Sequence, residues 1–266
     1  LRVDPAVVIG LLVRNLTIDH QPIYALAEWA ATFDPALFGL NTGDVEVLND
    51  DRTGRMLDRL FDTDRASLIT RTVLAAVREF DINMDQLHND STTVTFSGDH
   101  HDANGQTRGD QATPVITYGH NKDHRPDLKQ LLCVLTVTAD GAVPVAFRVL
   151  DGNTSDDPTH IPTWDELVAL VGRPDFLYVA DSKLANRPAM DHIDSHGGRF
   201  VTILPRTRKE DRQFRDRIAT HPVEWAEAHR APANRNGDPD QTFHTTPAPA
   251  GPSADGYRII WVRSST

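Results

Sequence analysis

Apolar residues in the first third of the chain recur at helical spacing. Leu11, Leu12 and Leu16, then Ile23, Leu26 and Ala27, mark one face of short helices. Asp50 and Asp51 precede the stripe Met56, Leu57, Leu60 and Phe61, where a helix dipole favours acids. Leu68, Ile69, Thr72, Val73, Ala76, Val77 and Phe80 give another stripe. The period predicts a small all-α domain over residues 1–86.

The period changes near His88. Asp90, Thr92, Val94 and Phe96 alternate with Ser91, Thr93 and Thr95, which predicts a strand. Residues 98–113 are polar and contain Gly, and read as a loop. Val115–Tyr118, Leu131–Val137 and Val143–Val149 read as strands, with Asp140-Gly141 as the turn between the last two. A helix follows, capped by Asp157 with Pro158 in its first turn and Ile161, Trp164, Leu167, Val168 and Val171 on its buried face. Phe176–Ala180 reads as a short strand ending at Asp181, Pro188–His196 as a helix stopped by Gly197-Gly198, Phe200–Leu204 as a strand, and Lys209–Thr220 as a charged helix. This order predicts an α/β class with a mixed sheet and flanking helices over residues 87–221.

Past Pro222 the pattern weakens. Glu224 and Glu227 share what reads as a helical stretch with Trp225, residues 231–255 read as exposed loop, and Tyr257–Val262 as one more strand. Residues 222–266 are expected to be the truncated start of a β-rich insertion. Both ends read as cut: the chain begins at Leu1 rather than Met and stops at Thr266, after a strand with no visible partner.

Composition narrows the function classes. With 39% hydrophobic and 24% charged residues the chain reads as globular, and no apolar run reaches the roughly 18 residues of a membrane span. The single cysteine, Cys133, lies in an apolar run and reads as a small core residue; a cytoplasmic location is expected. The net charge of −11 argues against a generally basic, nucleic-acid-binding surface. Residues 1–86 hold eight Arg against fourteen Asp or Glu, a net of −6, so an N-terminal DNA-reading role has no electrostatic support and helix packing or dimerisation is the plainer reading. Residues 199–217 are the exception: seven Arg or Lys against three acids, +4. Lys122, Arg125, Lys129, Arg206, Arg208, Lys209 and Arg212 are the candidate DNA contacts, since such cations suit phosphate. The bland alternative is a solvated helix balancing its own acids.

Two of the 38 acids stand out by position. Asp90 lies within the first strand and Asp181 just past the end of a later one. Carboxylates on neighbouring strands suit Mg²⁺, which keeps open positions for water and phosphate oxygens. His100, His101 and Asp102 offer a weaker zinc alternative, a zinc-dependent hydrolase, without the usual ligand spacing.

Four segments then carry a resemblance. They are Leu48 to Asp58 with its Asn49-Asp50-Asp51-Arg52 core, His88-Asn89-Asp90-Ser91-Thr92, Gly119-His120-Asn121-Lys122-Asp123 with Arg125 to Gln130, and Gly152-Asn153-Thr154-Ser155-Asp156 followed by Val179-Ala180-Asp181-Ser182. Over about residues 48–205 the chain resembles the DDE transposases of bacterial insertion sequences, whose catalytic core is ribonuclease H-like. The resemblance implies Asp90 and Asp181 as the first two catalytic, metal-binding acids, Mg²⁺ (or Mn²⁺) as cofactor, transposon ends and target DNA as partners, and a homo-oligomer as the active assembly. The third acid of that family is a Glu on a helix beyond an inserted β segment. It is expected past Thr266, with Glu224 and Glu227 too early to serve. An incomplete copy, lacking strand transfer, is therefore expected, or a non-catalytic DNA-binding or oligomerising remnant.

Overall fold

The computed structural model describes residues 3–233, 239–248 and 251–265. The chain forms two compact units: Leu1–Ile82, Thr93–Leu131 and Val149–Asn153 in one, and Asn83–Thr92, Leu132–Arg148 and Thr154–Thr266 in the other.

In the first unit, helices α1 (Pro5–Ile18), α2 (Leu26–Ala30), α3 (Asp50–Asp62) and α4 (Arg65–Glu79) appear where the apolar spacing predicts them. Each long helix starts on a side-chain cap. Asp4 accepts from the Ala6 amide and Asn49 from the Arg52 amide, which satisfies donors that the first turn leaves open. Val8, Leu11, Leu26, Trp29, Leu48 and Met56 close a core around α1 to α3. The α4 stripe packs less: only Val73 in that helix is buried, and Phe80 is exposed.

The remaining elements are β1 (Gln86–Phe96), β2 (Thr107–Arg108), β3 (Gln111–Ala112), β4 (Lys129–Thr138), β5 (Pro144–Asp151), α5 (His160–Val171), β6 (Leu177–Ala180), α6 (Arg187–Ser195), β7 (Arg199–Val201), α7 (Lys209–Thr220), β8 (Ala226–Ala231), β9 (Gln241–Pro247) and β10 (Ile260–Ser264). One five-stranded sheet has the order β5-β4-β1-β6-β7. Its β1, β6 and β7 are parallel neighbours. A tight turn, with the Thr138 amide bonded to the Val143 carbonyl at 3.0 Å, folds β4 back on β5. This is the α/β mixed sheet with flanking helices expected from the sequence, preceded by α1 to α4. Within the second unit α5 and α6 bury Trp164, Leu167, Met190 and Ile193 beside Phe176 and Tyr178 of the β6 segment. Gly198 permits this packing, because a Cβ there would meet Ile193 at 2.6 Å and Trp164 at 2.7 Å.

Five local expectations are corrected. Val115–Tyr118 is no ladder strand: Val115 and Thr117 each make an isolated bridge. The Val115 amide goes instead to the Asp151 side chain at 2.8 Å. Asp157 does not cap α5; it opens a 3-10 turn, Asp157–Thr159, and pairs with Lys183 at 3.6 Å. Glu227 lies on strand β8, not in a helix, and Trp225 packs edge-on to Phe214. The last strand has a partner, for β10 pairs antiparallel with β9 in a sheet of order β10-β9-β8. Cys133 is half-buried rather than a core residue. Among the described residues no helix is long and apolar enough to cross a membrane.

Candidate active site on the mixed sheet

Strand register brings the two singled-out acids together. Strands β1 and β6 run parallel with Gln86 opposite Leu177 and Asn89 opposite Ala180. Asp90 and Asp181 are the next residues on each, and Asp181 keeps an extended backbone with φ −70 and ψ −171. Neighbouring strands lie about 4.8 Å apart, and matched positions on parallel strands face the same side. Leu87, Tyr178, Asn89 and Ala180 are buried on alternate positions. Asp90 is exposed and Asp181 half-buried. The Ser91 amide donates to the Asp90 carboxylate at 2.7 Å, and the Lys183 amide to that of Asp181 at 2.9 Å. Thr202, just past β7, donates its hydroxyl to the Asp181 carbonyl at 2.5 Å, which ties down the chain where β6 ends.

This donor set is of the kind a hard divalent cation takes: two carboxylates carried at matched positions of neighbouring parallel strands, on the more accessible side of the sheet. Among the described residues no group of three or more His, Cys, Asp or Glu is placed to hold a metal ion, so the pair has no third acid beside it. The same finding removes support from the zinc alternative. His100 instead bonds the Ser97 carbonyl at 2.8 Å, and His101 lies 3.5 Å from Asp99.

Beneath the acids the sheet is tied by side chains that sequence reasoning passed over. The Asn89 carboxamide donates to Thr136 Oγ1 at 2.9 Å and to the Leu135 carbonyl at 3.3 Å. His160 at the start of α5 shares a 3.1 Å hydrogen bond with the Tyr178 hydroxyl. Burial pushes the His160 pKa below the usual imidazole value, while Asp181, Asp156 and Asp157 pull it the other way. Burial also pushes Tyr178 far up, so its hydroxyl stays protonated. A single Asn in a strand of apolar and Thr positions was the available signal for Asn89; nothing local marked His160.

The seven candidate DNA contacts divide by what they already touch. Arg125 forms a two-pronged pair with Asp127 at 2.6 and 2.8 Å, and Lys129 donates to the Asp99 carbonyl. Lys122 is exposed in the same unit. In the other unit Arg208 is met by Glu210 and Asp255, which neutralise it inside the chain. Arg206, Lys209 and Arg212 are exposed, and among the described residues no acid pairs with them.

No family model and no curated protein matches the chain. Among solved structures it is similar to a piggyBac transposase synaptic complex with hairpin DNA, at 14% identity over 98% of this chain and 51% of that one, with a TM-score of 0.43. It is also similar to a Mos1 mariner paired-end complex with Mn, at 12% identity over 79% of this chain and 62% of the other, TM-score 0.30. A Mos1 strand transfer complex gives 13% identity over 75% and 58%, TM-score 0.28. The chain thus spans about half the length of the piggyBac transposase and about three fifths of the Mos1 chains.

Proposed function

We propose that this chain is part of a DDE transposase, in which Asp90 and Asp181 hold the divalent cation for cutting and joining DNA strands. The observation that carries the reading is the register: the acids of the two family-like segments each directly follow the last paired rung, Asn89 with Ala180, of one parallel strand pair. The carboxylates would bind Mg²⁺ or Mn²⁺ and leave positions open toward the DNA phosphate. A cation bound there supplies Lewis-acid stabilisation of the phosphodiester and an activated oxygen nucleophile. The chain's own part is to hold both acids rigidly, through the Asn89 and Thr202 bonds, and to offer Arg206, Lys209 and Arg212 to the phosphate backbone. Transposon ends and target DNA are the substrates, handled by a homo-oligomer.

The third acid is assigned to none of residues 1–266. Leu135 and Val201 are exposed on the side of the sheet that bears the acids, and are the surface that a Glu-bearing helix would cover. Without that Glu the chain binds the cation but does not join strands. The second reading, a non-catalytic DNA-binding or oligomerising remnant, is favoured by the lack of a three-acid group among the described residues.

Titrating Mn²⁺ and following its free electron-paramagnetic signal separates the two. The proposal expects one saturable site that is weakened at least tenfold by Asp90→Asn and equally by Asp181→Asn. Mn²⁺ binding that is absent, or indifferent to both substitutions, supports the remnant instead.

A further inference from the structure

Asn89 is the only buried amide among the strand residues that pair β1 with β6. It is 5% exposed, and its register neighbours Leu87, Tyr178 and Ala180 are apolar or, for Tyr178, bonded elsewhere. An amide in such a place is costly unless its hydrogen bonds are made. They are made on one strand only: Thr136 Oγ1, itself 1% exposed, and the Leu135 carbonyl, both on β4. The Ala139 amide bonds the Gln86 carbonyl at 3.0 Å, which fits the same antiparallel alignment of β1 with β4. On its other side Asn89 stands opposite Ala180, one residue before both acids. The side chain directly before Asp90 thus fixes β1 against β4, while the same residue's backbone is the last rung of the ladder to β6.

A slip of β1 by one residue would turn Asp90 into the core and Asn89 to solvent. Leu87 is the one fully buried apolar residue of β1, and beyond Asp90 the pattern resists that slip only weakly, because Ser91, Thr92, Thr93 and Thr95 suit either side of a sheet. The amide resists it strongly, because its acceptors exist at one register. A buried polar residue that selects register at some expense of stability is a known use of Asn.

We propose that Asn89, with Thr136 as its acceptor, is a positioning residue that sets the register of β1 and so brings the Asp90 carboxylate beside Asp181. The inference rests on the reading of Asp90 and Asp181 as a cation-holding pair, and it has a readout that needs no cation.

That readout is a cross-link. In a Cys133→Ser background, Asp90→Cys and Asp181→Cys place two thiols at matched positions just past the Asn89–Ala180 rung, within disulfide reach. Oxidation rate is compared for Asn89, Asn89→Leu, Thr136→Val and Thr136→Ser, with circular dichroism confirming that each chain is folded. The proposal expects fast cross-linking with native Asn89 and with Thr136→Ser, which keeps the hydroxyl. It expects a drop of tenfold or more with Thr136→Val and with Asn89→Leu, and no further drop when the two are combined. In the chain that retains both acids, Thr136→Val should weaken Mn²⁺ binding by a similar factor. Fast cross-linking in folded Thr136→Val overturns the proposal whatever Mn²⁺ does. Cross-linking that depends on Thr136 in a chain that binds no Mn²⁺ upholds the register role and overturns the cation reading alone.

Discussion

His160 shows how a side chain outside the acid pair bears on the same part of the sheet. Its ring is 4% exposed and bonded to Tyr178, and burial depresses its pKa. In the unfolded chain the ring takes its proton near pH 6.5, whereas the folded chain resists protonation until lower pH. The unfolded state therefore binds more protons below about pH 6.5, and stability should fall as pH falls through that value toward the folded pKa. Urea midpoints at pH 7.5 and 5.5 check this: the native chain should lose stability on acidification, and His160→Gln should lose clearly less. Equal losses in both would move the cause to another group. Asp90 was legible at this scale only as a strand residue. Its partner came from the family-like segments, and the adjacency of the two from the register.

Among the elements, the family-like segment from Gly119 to Gln130 turns out to be a packing motif. Gln130 is 2% exposed and donates to the Gly152 carbonyl at 2.6 Å. A Cβ on Gly152 would meet the Gln130 carbonyl oxygen at 2.0 Å and that of Thr117 at 2.6 Å, both backbone atoms. Gly152→Ala should thus cost about 2–3 kcal/mol or abolish folding. Gly54 inside α3 has nothing within 4 Å of a Cβ, so Gly54→Ala should stabilise by about 0.5–1 kcal/mol. Denaturant titration of the two variants checks both signs. These glycines also explain why Val115–Tyr118 misled. Alternation identified an extended segment, but the close approach of Gly119 and Gly152 sends its hydrogen bonds to Asp151 and Gln130 rather than to one neighbouring strand. The helices α6 and α7 were legible almost to the residue and α3 by its apolar stripe, because such patterns are local. The pairing of β10 with β9 was not, because twelve residues of loop-like composition separate them and no local pattern names a partner. On α7 the basic count overstated the free charge: Arg208 and Arg215 are held by Asp255, Glu210 and Asp211. Of the candidate contacts there, Arg206, Lys209 and Arg212 remain. Their triple replacement by Ala should weaken DNA binding across sequences and lower the slope of log affinity against log salt by about 3. An unchanged slope would place the DNA elsewhere.

At the scale of the whole molecule, a chain of net charge −11 approaches DNA only through local basic ground or a bound cation. Asp90 and Asp181 are proposed to share that cation. Anomalous diffraction from crystals soaked in Mn²⁺ tests it most directly. A manganese peak within about 2.5 Å of both carboxylates, lost in Asp90→Asn, is expected. A well-ordered sheet with the two acids side by side and no peak between them, or a peak bound elsewhere, would contradict it.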